Sequence, residues 1–230
     1  MPEGARRLAA IMFTDLVGFT ALGQKNESLA LSVLDEQREL LRPMFNKHGG
    51  REIKTIGDSF LVDFPSALSA VKCAYEIQKT TREFNSSLPE ERRVHVRIGV
   101  HLGDIVESQG DISGDAVNVA SRIESLADSG GVYLTRQVYD QVQNKFELPL
   151  RNLGAKLLKN IRAPTEVFKM VMPWEGAMMA DAHVVMADYG MMPKSEFHAK
   201  VREYAMRALE IDPTLSQPHA ALATVHERNF

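Results

Sequence analysis

Glu52-Ile53-Lys54-Thr55-Ile56-Gly57-Asp58-Ser59-Phe60-Leu61-Val62-Asp63-Phe64 is the stretch that decides the fold. Two short apolar-rich runs, 52–56 and 59–64, flank a Gly-containing turn, and Pro65 closes the second run. That pattern predicts a β-hairpin with Asp58 at its tip. Upstream, residues 9–13 are an apolar run bounded by Thr14-Asp15, which reads as a buried strand. Over 28–48, Leu29, Leu31, Leu34, Leu40, Leu41 and Phe45 recur at mostly helical spacing until Gly49-Gly50 stop the helix. Downstream, a helix is expected over 66–84, with Ala67, Ala70, Ala74 and Ile77 on one face.

Residues 94–106 alternate, with Val94, Val96, Ile98 and Val100 pointing one way, so a long strand runs into Gly103-Asp104. A Gly-flanked loop at 110–114 leads to a helix at 115–127. A strand at 132–134, a helix at 136–145 and short strands near 146–153 and 166–172 complete the unit. The order is βαββαβ with additions, an α+β fold around a largely antiparallel sheet.

After Met172 the composition shifts. Residues 173–193 hold Trp174, several methionines and little periodicity, and read as a linker or arm. Residues 194–230 turn helical: Tyr204, Ala205, Ala208 and Leu209 precede Asp212-Pro213, then Pro218, Ala220, Leu222 and Ala223. This resembles the seam between two tetratricopeptide repeats, and a helical hairpin is the plainer alternative. About one repeat is present, and a solenoid repeat needs neighbours to bury its faces. Such helices would offer a surface for a protein partner.

Bulk properties narrow the function. The 230 residues are 44% hydrophobic and 25% charged, enough for a packed core. A net charge of -3 argues against sequence-independent binding to nucleic acid, which needs a basic field. The lone cysteine, Cys73, lies in an apolar helical stretch and reads as a small buried hydrophobe, consistent with a reducing, cytoplasmic setting. No apolar run approaches the roughly 18–20 residues of a membrane span.

Two aspartates carry the first chemical signal. Asp15 ends an apolar strand in Phe13-Thr14-Asp15-Leu16-Val17-Gly18-Phe19-Thr20, and Asp58 tips the hairpin. If the strands lie side by side, both carboxylates reach one spot, and hard oxygen donors there suit magnesium. Gly18, Phe19 and Thr20 follow, where backbone N–H groups can face phosphate oxygens. An isolated aspartate at a strand end is usually a cap or turn residue. The second signal is Asp111-Ile112-Ser113-Gly114-Asp115-Ala116-Val117-Asn118-Val119-Ala120-Ser121-Arg122. Asn118 and Arg122 are four apart and share a helix face, while Val117 and Ala120 can face the core. An arginine there offers a planar fork of donors to a phosphate. An ordinary amphipathic helix would look much the same.

Together these motifs, with Lys54 four residues before Asp58, resemble the class III adenylate/guanylate cyclases over residues 7–172. The resemblance implies a ferredoxin-like α+β catalytic domain that works as a head-to-tail homodimer on ATP with two Mg2+ or Mn2+ ions. It implies a metal site of Asp15, the adjoining Leu16 and Asp58. It gives Lys54 and Asp111 the base, Asn118 the ribose, Arg122 the transition state and Arg97 a phosphate-side role, and matches Lys159 to a phosphate-contacting lysine. Hydrogen-bond counting leaves the base open, because a lysine–aspartate pair can serve adenine or guanine. The family pattern associates that pair with ATP. A guanylate cyclase and a catalytically silent nucleotide-binding module are the alternatives.

Overall fold

The computed structural model describes residues 5–175, 194–211 and 213–227. The chain divides into two compact units, one reaching to Met170 without Glu147–Pro149, the other made of Glu147–Pro149 and the residues from Val171 on. Most of the linker expected at 173–193 lies outside the described residues.

The first unit is one mixed sheet. Its strands are β1 (Ala5–Leu16), β2 (Arg51–Ile56), β3 (Ser59–Phe64), β4 (Val96–Ser108), β5 (Asp111–Ser113), β6 (Val132–Thr135), β7 (Leu150–Lys156) and β8 (Thr165–Met170). They lie in the order β2-β3-β1-β4-β6-β8-β7, with β5 paired to β4. All pairings are antiparallel except β4 with β6. The first four strands form the expected βαββαβ core, because α2 (Glu27–Lys47) carries the chain from β1 to β2 and α3 (Ala67–Asn85) from β3 to β4. The remaining helices of this unit are α1 (Phe19–Lys25), α4 (Asp115–Leu126) and α5 (Arg136–Val142).

Helix starts follow local chemistry. Asn26 caps α2 by accepting a hydrogen bond from the Leu29 amide at 3.1 Å, and Ser66 caps α3 by accepting one from Ser69 at 3.1 Å. Each such cap is worth about 1 kcal/mol. Ala67, Ala70, Ala74 and Ile77 are all buried, as their spacing requires. Leu31, included in the periodic set for α2, is 54% exposed; Val33 and Gln37 complete the buried stripe instead.

Strand alternation divides the sheet into two faces. Phe60 meets Phe45 of α2 edge-on at 5.2 Å between ring centres, on the face covered by α2 and α3. Ala9, Ile11, Phe13, Leu61 and Ile105 point the other way and pack with Ile112 of β5 and with Ala116 and Ala120 of α4. The tightest contact is at Gly99 of β4. A Cβ there would lie 2.2 Å from the Glu124 amide nitrogen and 2.7 Å from the Ala120 carbonyl oxygen. Neither neighbour is a flexible side chain, so Gly99→Ala should destabilise the domain by about 3 kcal/mol. Thermal unfolding should register this as a fall of roughly 6–12 °C in Tm. An unchanged Tm would mean that α4 does not press on β4 in this way.

In the second unit, α6 (Lys194–Ile211) and α7 (Ser216–Glu227) share an apolar seam of Phe197, Val201, Ala205, Ala221 and Val225. Among the described residues no helix is long and apolar enough to cross a membrane.

Candidate active site

β1 and β3 pair from Ala10 with Phe64 to Thr14 with Phe60, which carries Asp15 to the tip of the hairpin. There the Leu16 amide donates to Asp58 Oδ2 at 3.2 Å, and Ser59 Oγ donates to Asp15 Oδ1 at 2.8 Å. Gln37 of α2, fully buried, donates through Nε2 to the Asp58 carbonyl at 3.1 Å and so ties the turn down from below. Desolvation and the nearby charge of Asp15 push the Asp58 carboxyl above the ordinary carboxylate range.

On the other flank, Asp15 stands directly across from Arg97 in the β1–β4 register. Arg97 reaches Asp15 Oδ2 with Nη2 at 2.6 Å and Nε at 2.9 Å, and its Nε also lies 2.6 Å from Glu124 Oε1 on α4. Burial, added to the charge of Asp15, raises the Glu124 carboxyl to about 7. Ser59, Gln37 and Glu124 were not singled out from the sequence. Glu124 had a legible signal: it lies four residues after Ala120, an acid on the buried stripe of an amphipathic helix.

Lys54 and Asp111, 57 residues apart, meet as an ion pair with Nζ 2.6 Å from Oδ2. Both remain largely open to solvent. The lysine ammonium and the Ile112 amide, which donates to Asp111 Oδ1 at 2.8 Å, hold this carboxyl below its usual range. Asn118 is exposed and Arg122 half-buried, one turn apart on α4, while Val117 and Ala120 face the apolar cluster of that side. Gly18, at φ 81°, lets the chain leave β1 and start α1 at Phe19. Lys159 is exposed in the β7–β8 connection, outside both clusters. His101 is buried against Thr135 Oγ1 at 2.9 Å, and burial lowers its pKa to about 4, so it stays neutral inside the fold.

The fit to a divalent cation rests on the donor set. Among the described residues no three His, Cys, Asp or Glu side chains converge. Two crowded carboxylates and adjoining backbone oxygens are nevertheless the all-oxygen set that magnesium uses when substrate phosphates complete its shell. One of the two is held above its usual range partly by the other's charge, a repulsion that a cation would relieve.

The α+β sheet thus bears paired acids at one strand end and a lysine–aspartate pair across its face. The chain belongs to the adenylate and guanylate cyclase family: the profile of the "Adenylate and Guanylate cyclase catalytic domain" matches residues 4–169. It is 40% identical over 164 residues to the Rhizobium meliloti (strain 1021) protein named "Putative adenylate cyclase 3", covering 71% of this chain and 28% of that one. This chain thus spans under a third of that relative's length. The solved adenylate/guanylate cyclase/hydrolase of Silicibacter pomeroyi superposes with TM-score 0.69 at 37% identity, over 73% of this chain and 98% of that one. A Trypanosoma brucei adenylate cyclase solved in its monomeric state gives 0.61 at 26%, over 71% and 89%.

Proposed function

We propose that this chain is an adenylate cyclase that converts ATP to 3′,5′-cyclic AMP and pyrophosphate for intracellular signalling in the cytoplasm. The observation that carries this reading is the 2.6 Å meeting of Lys54 with Asp111. A donor and an acceptor held side by side fit adenine, whose N1 accepts and whose N6 donates; they can also serve guanine, and the family pattern associates the pair with ATP. The ordered acids Asp15 and Asp58 and the α4 residues Asn118 and Arg122 supply the rest of the site.

The reaction is an internal displacement. The ribose 3′-oxygen attacks the α-phosphorus, the bond to the β-phosphate oxygen breaks, and pyrophosphate leaves. Two divalent ions, Mg2+ or Mn2+, held by Asp15, Leu16 and Asp58, would neutralise the triphosphate and make the 3′-hydroxyl more acidic. Asn118 orients the ribose, Arg122 meets the charge developing on the α-phosphate, and Arg97 and Lys159 serve the phosphates. Positioning and electrostatics therefore supply most of the acceleration.

Two chains make the sites. One supplies Asp15, Asp58 and Arg97; its partner supplies Lys54, Asp111, Asn118 and Arg122. The catalytic domain spans residues 7–172. Residues 194–230, where α6 and α7 share an apolar seam, are read as part of a tetratricopeptide-like array that engages a protein partner.

The full chain incubated with ATP or GTP, with Mg2+ or Mn2+, should release cyclic AMP from ATP. Cyclic GMP should form at least about tenfold less efficiently, the factor expected when one polar contact to the base is mismatched. Equal or greater use of GTP would make it a guanylate cyclase. Nucleotide binding without either product would make it a silent module.

A further inference from the structure

The sheet face beneath α4 carries a closed ring of four charges, one from each of four strands. Arg7 of β1 pairs with Asp63 of β3 and, through Nε at 3.0 Å, with Glu107 of β4. Arg51 of β2 pairs with the same two acids, at 3.1 Å to Asp63 and 2.7 Å to Glu107. Each ring residue lies two positions from a member of the apolar cluster on its own strand, next to Ala9, Leu61, Ile53 and Ile105, so the ring caps that cluster. Asp63 is buried, at 6% exposure.

Such rings are weak sources of stability, because desolvation offsets most of the attraction; their better-attested use is to fix register. Here a register needs fixing. Arg51 pairs with Asp63 and Glu52 with Val62, but the next pair is Lys54 with Leu61, so Ile53 is an extra residue in β2. Without that bulge Ile53 would face Leu61, and Lys54 would face Phe60, whose ring points to α2. The bulge instead puts Lys54 on the face of Leu61, and from there its amine reaches Asp111.

The ring ties down both sides of that contact. Arg51 and Asp63, directly opposed, lock the β2–β3 register just before the bulge. The other end of Arg51 holds Glu107, which pairs with Ile112, the neighbour of Asp111 on β5. Although β3 and β1 separate β2 from β4 in the sheet, β5 touches β2 across the face.

We propose that the ring of Arg7, Asp63, Arg51 and Glu107 sets purine selection by holding the β2 bulge in register and β2 against β5, which places Lys54 beside Asp111. Arg51 and Glu107 are positioning residues, and the proposal rests on the reading of Lys54 and Asp111 as the groups that contact the base.

The test compares wild-type, Arg51→Met, Arg51→Lys and Lys54→Met full chains. It measures kcat and KM for ATP and GTP with Mn2+, dissociation constants for both nucleotides by calorimetry, thermal melting, and the β2–β3 pairing from cross-strand amide NOEs. Arg51→Met should melt within a few degrees of wild type. It should lower kcat/KM for ATP about tenfold, chiefly through KM, and narrow the ATP-over-GTP ratio as Lys54→Met does. Its NOEs should show Lys54 shifting toward Phe60. Arg51→Lys, keeping a cation, should retain most of the wild-type ratio. If Arg51→Met keeps the wild-type ratio in both turnover and binding while Lys54→Met loses it, the ring only supports the sheet and the base reading stands. If Lys54→Met keeps it too, the base reading falls and takes the proposal with it. Should Arg51→Met fail to fold, Glu107→Gln carries the same comparison.

Discussion

Asp58→Ala should abolish cyclisation and leave the domain folded. The carboxylate tips the β2–β3 hairpin, and the change removes the 3.2 Å hydrogen bond it accepts from the Leu16 amide. The bond that anchors the turn, from Gln37, goes to the main-chain carbonyl and survives. Desolvation and the charge of Asp15 already work against the ionised form of Asp58. Removing it should therefore cost no more than about 1 kcal/mol, the net worth of an ordinary hydrogen bond. Turnover should fall by at least about a hundredfold, the lower end of the loss when one electrostatic contact to a developing charge is removed. Circular dichroism and product formation with Mn2+ check the two halves. A folded variant with wild-type turnover would remove Asp58 from the metal site.

The second large effect is restoration rather than loss. A chain lacking Asp15 and Asp58 and a chain lacking Lys54, Asp111 and Arg122 should each be dead as homodimers. Co-expressed in equal amounts, about half the dimers are mixed, and each mixed dimer has one intact and one doubly broken site. Activity should return to about a quarter of wild type if the sites work independently. A purified mixed dimer without activity would show that the two sets of residues do not serve a common site. Within a single chain, Asp15, Asp58 and Arg97 form one cluster and Lys54 and Asp111 another, which is the division this experiment uses.

Much of this was legible in the sequence, for reasons that vary by element. The hairpin was readable because its apolar runs and turn chemistry agree, and 59–64 matches β3 end to end. Helix α1 was missed because it buries no residue and so leaves no periodic trace. β1 starts four residues earlier than its apolar run suggests, since Ala5, Arg6 and Leu8 are exposed. β5 is three residues within what read as a Gly-flanked loop, and only its pairing with β4 makes it a strand. The aspartates, Lys54, Asn118 and Arg122 were readable because they sit in local motifs. Gln37 was not, because its partner lies 21 residues away and meets it only once the sheet has formed; the Arg97 partner of Glu124 is equally remote, although an acid on the buried stripe of α4 marks that residue. The β2 bulge leaves no mark in composition at all: Ile53 is an ordinary strand residue, and only the register shows that it is one too many.

The contact at Gly99 has a mechanical consequence. With the Glu124 backbone pressed onto β4, α4, which carries Arg122, packs directly on the strand that carries Arg97. In the dimer proposed above those two arginines would serve opposite sites. A rotation that moves Arg122 at one site would then move Arg97 at the other, and a co-expressed mixture departing from a quarter of wild-type activity would register that coupling.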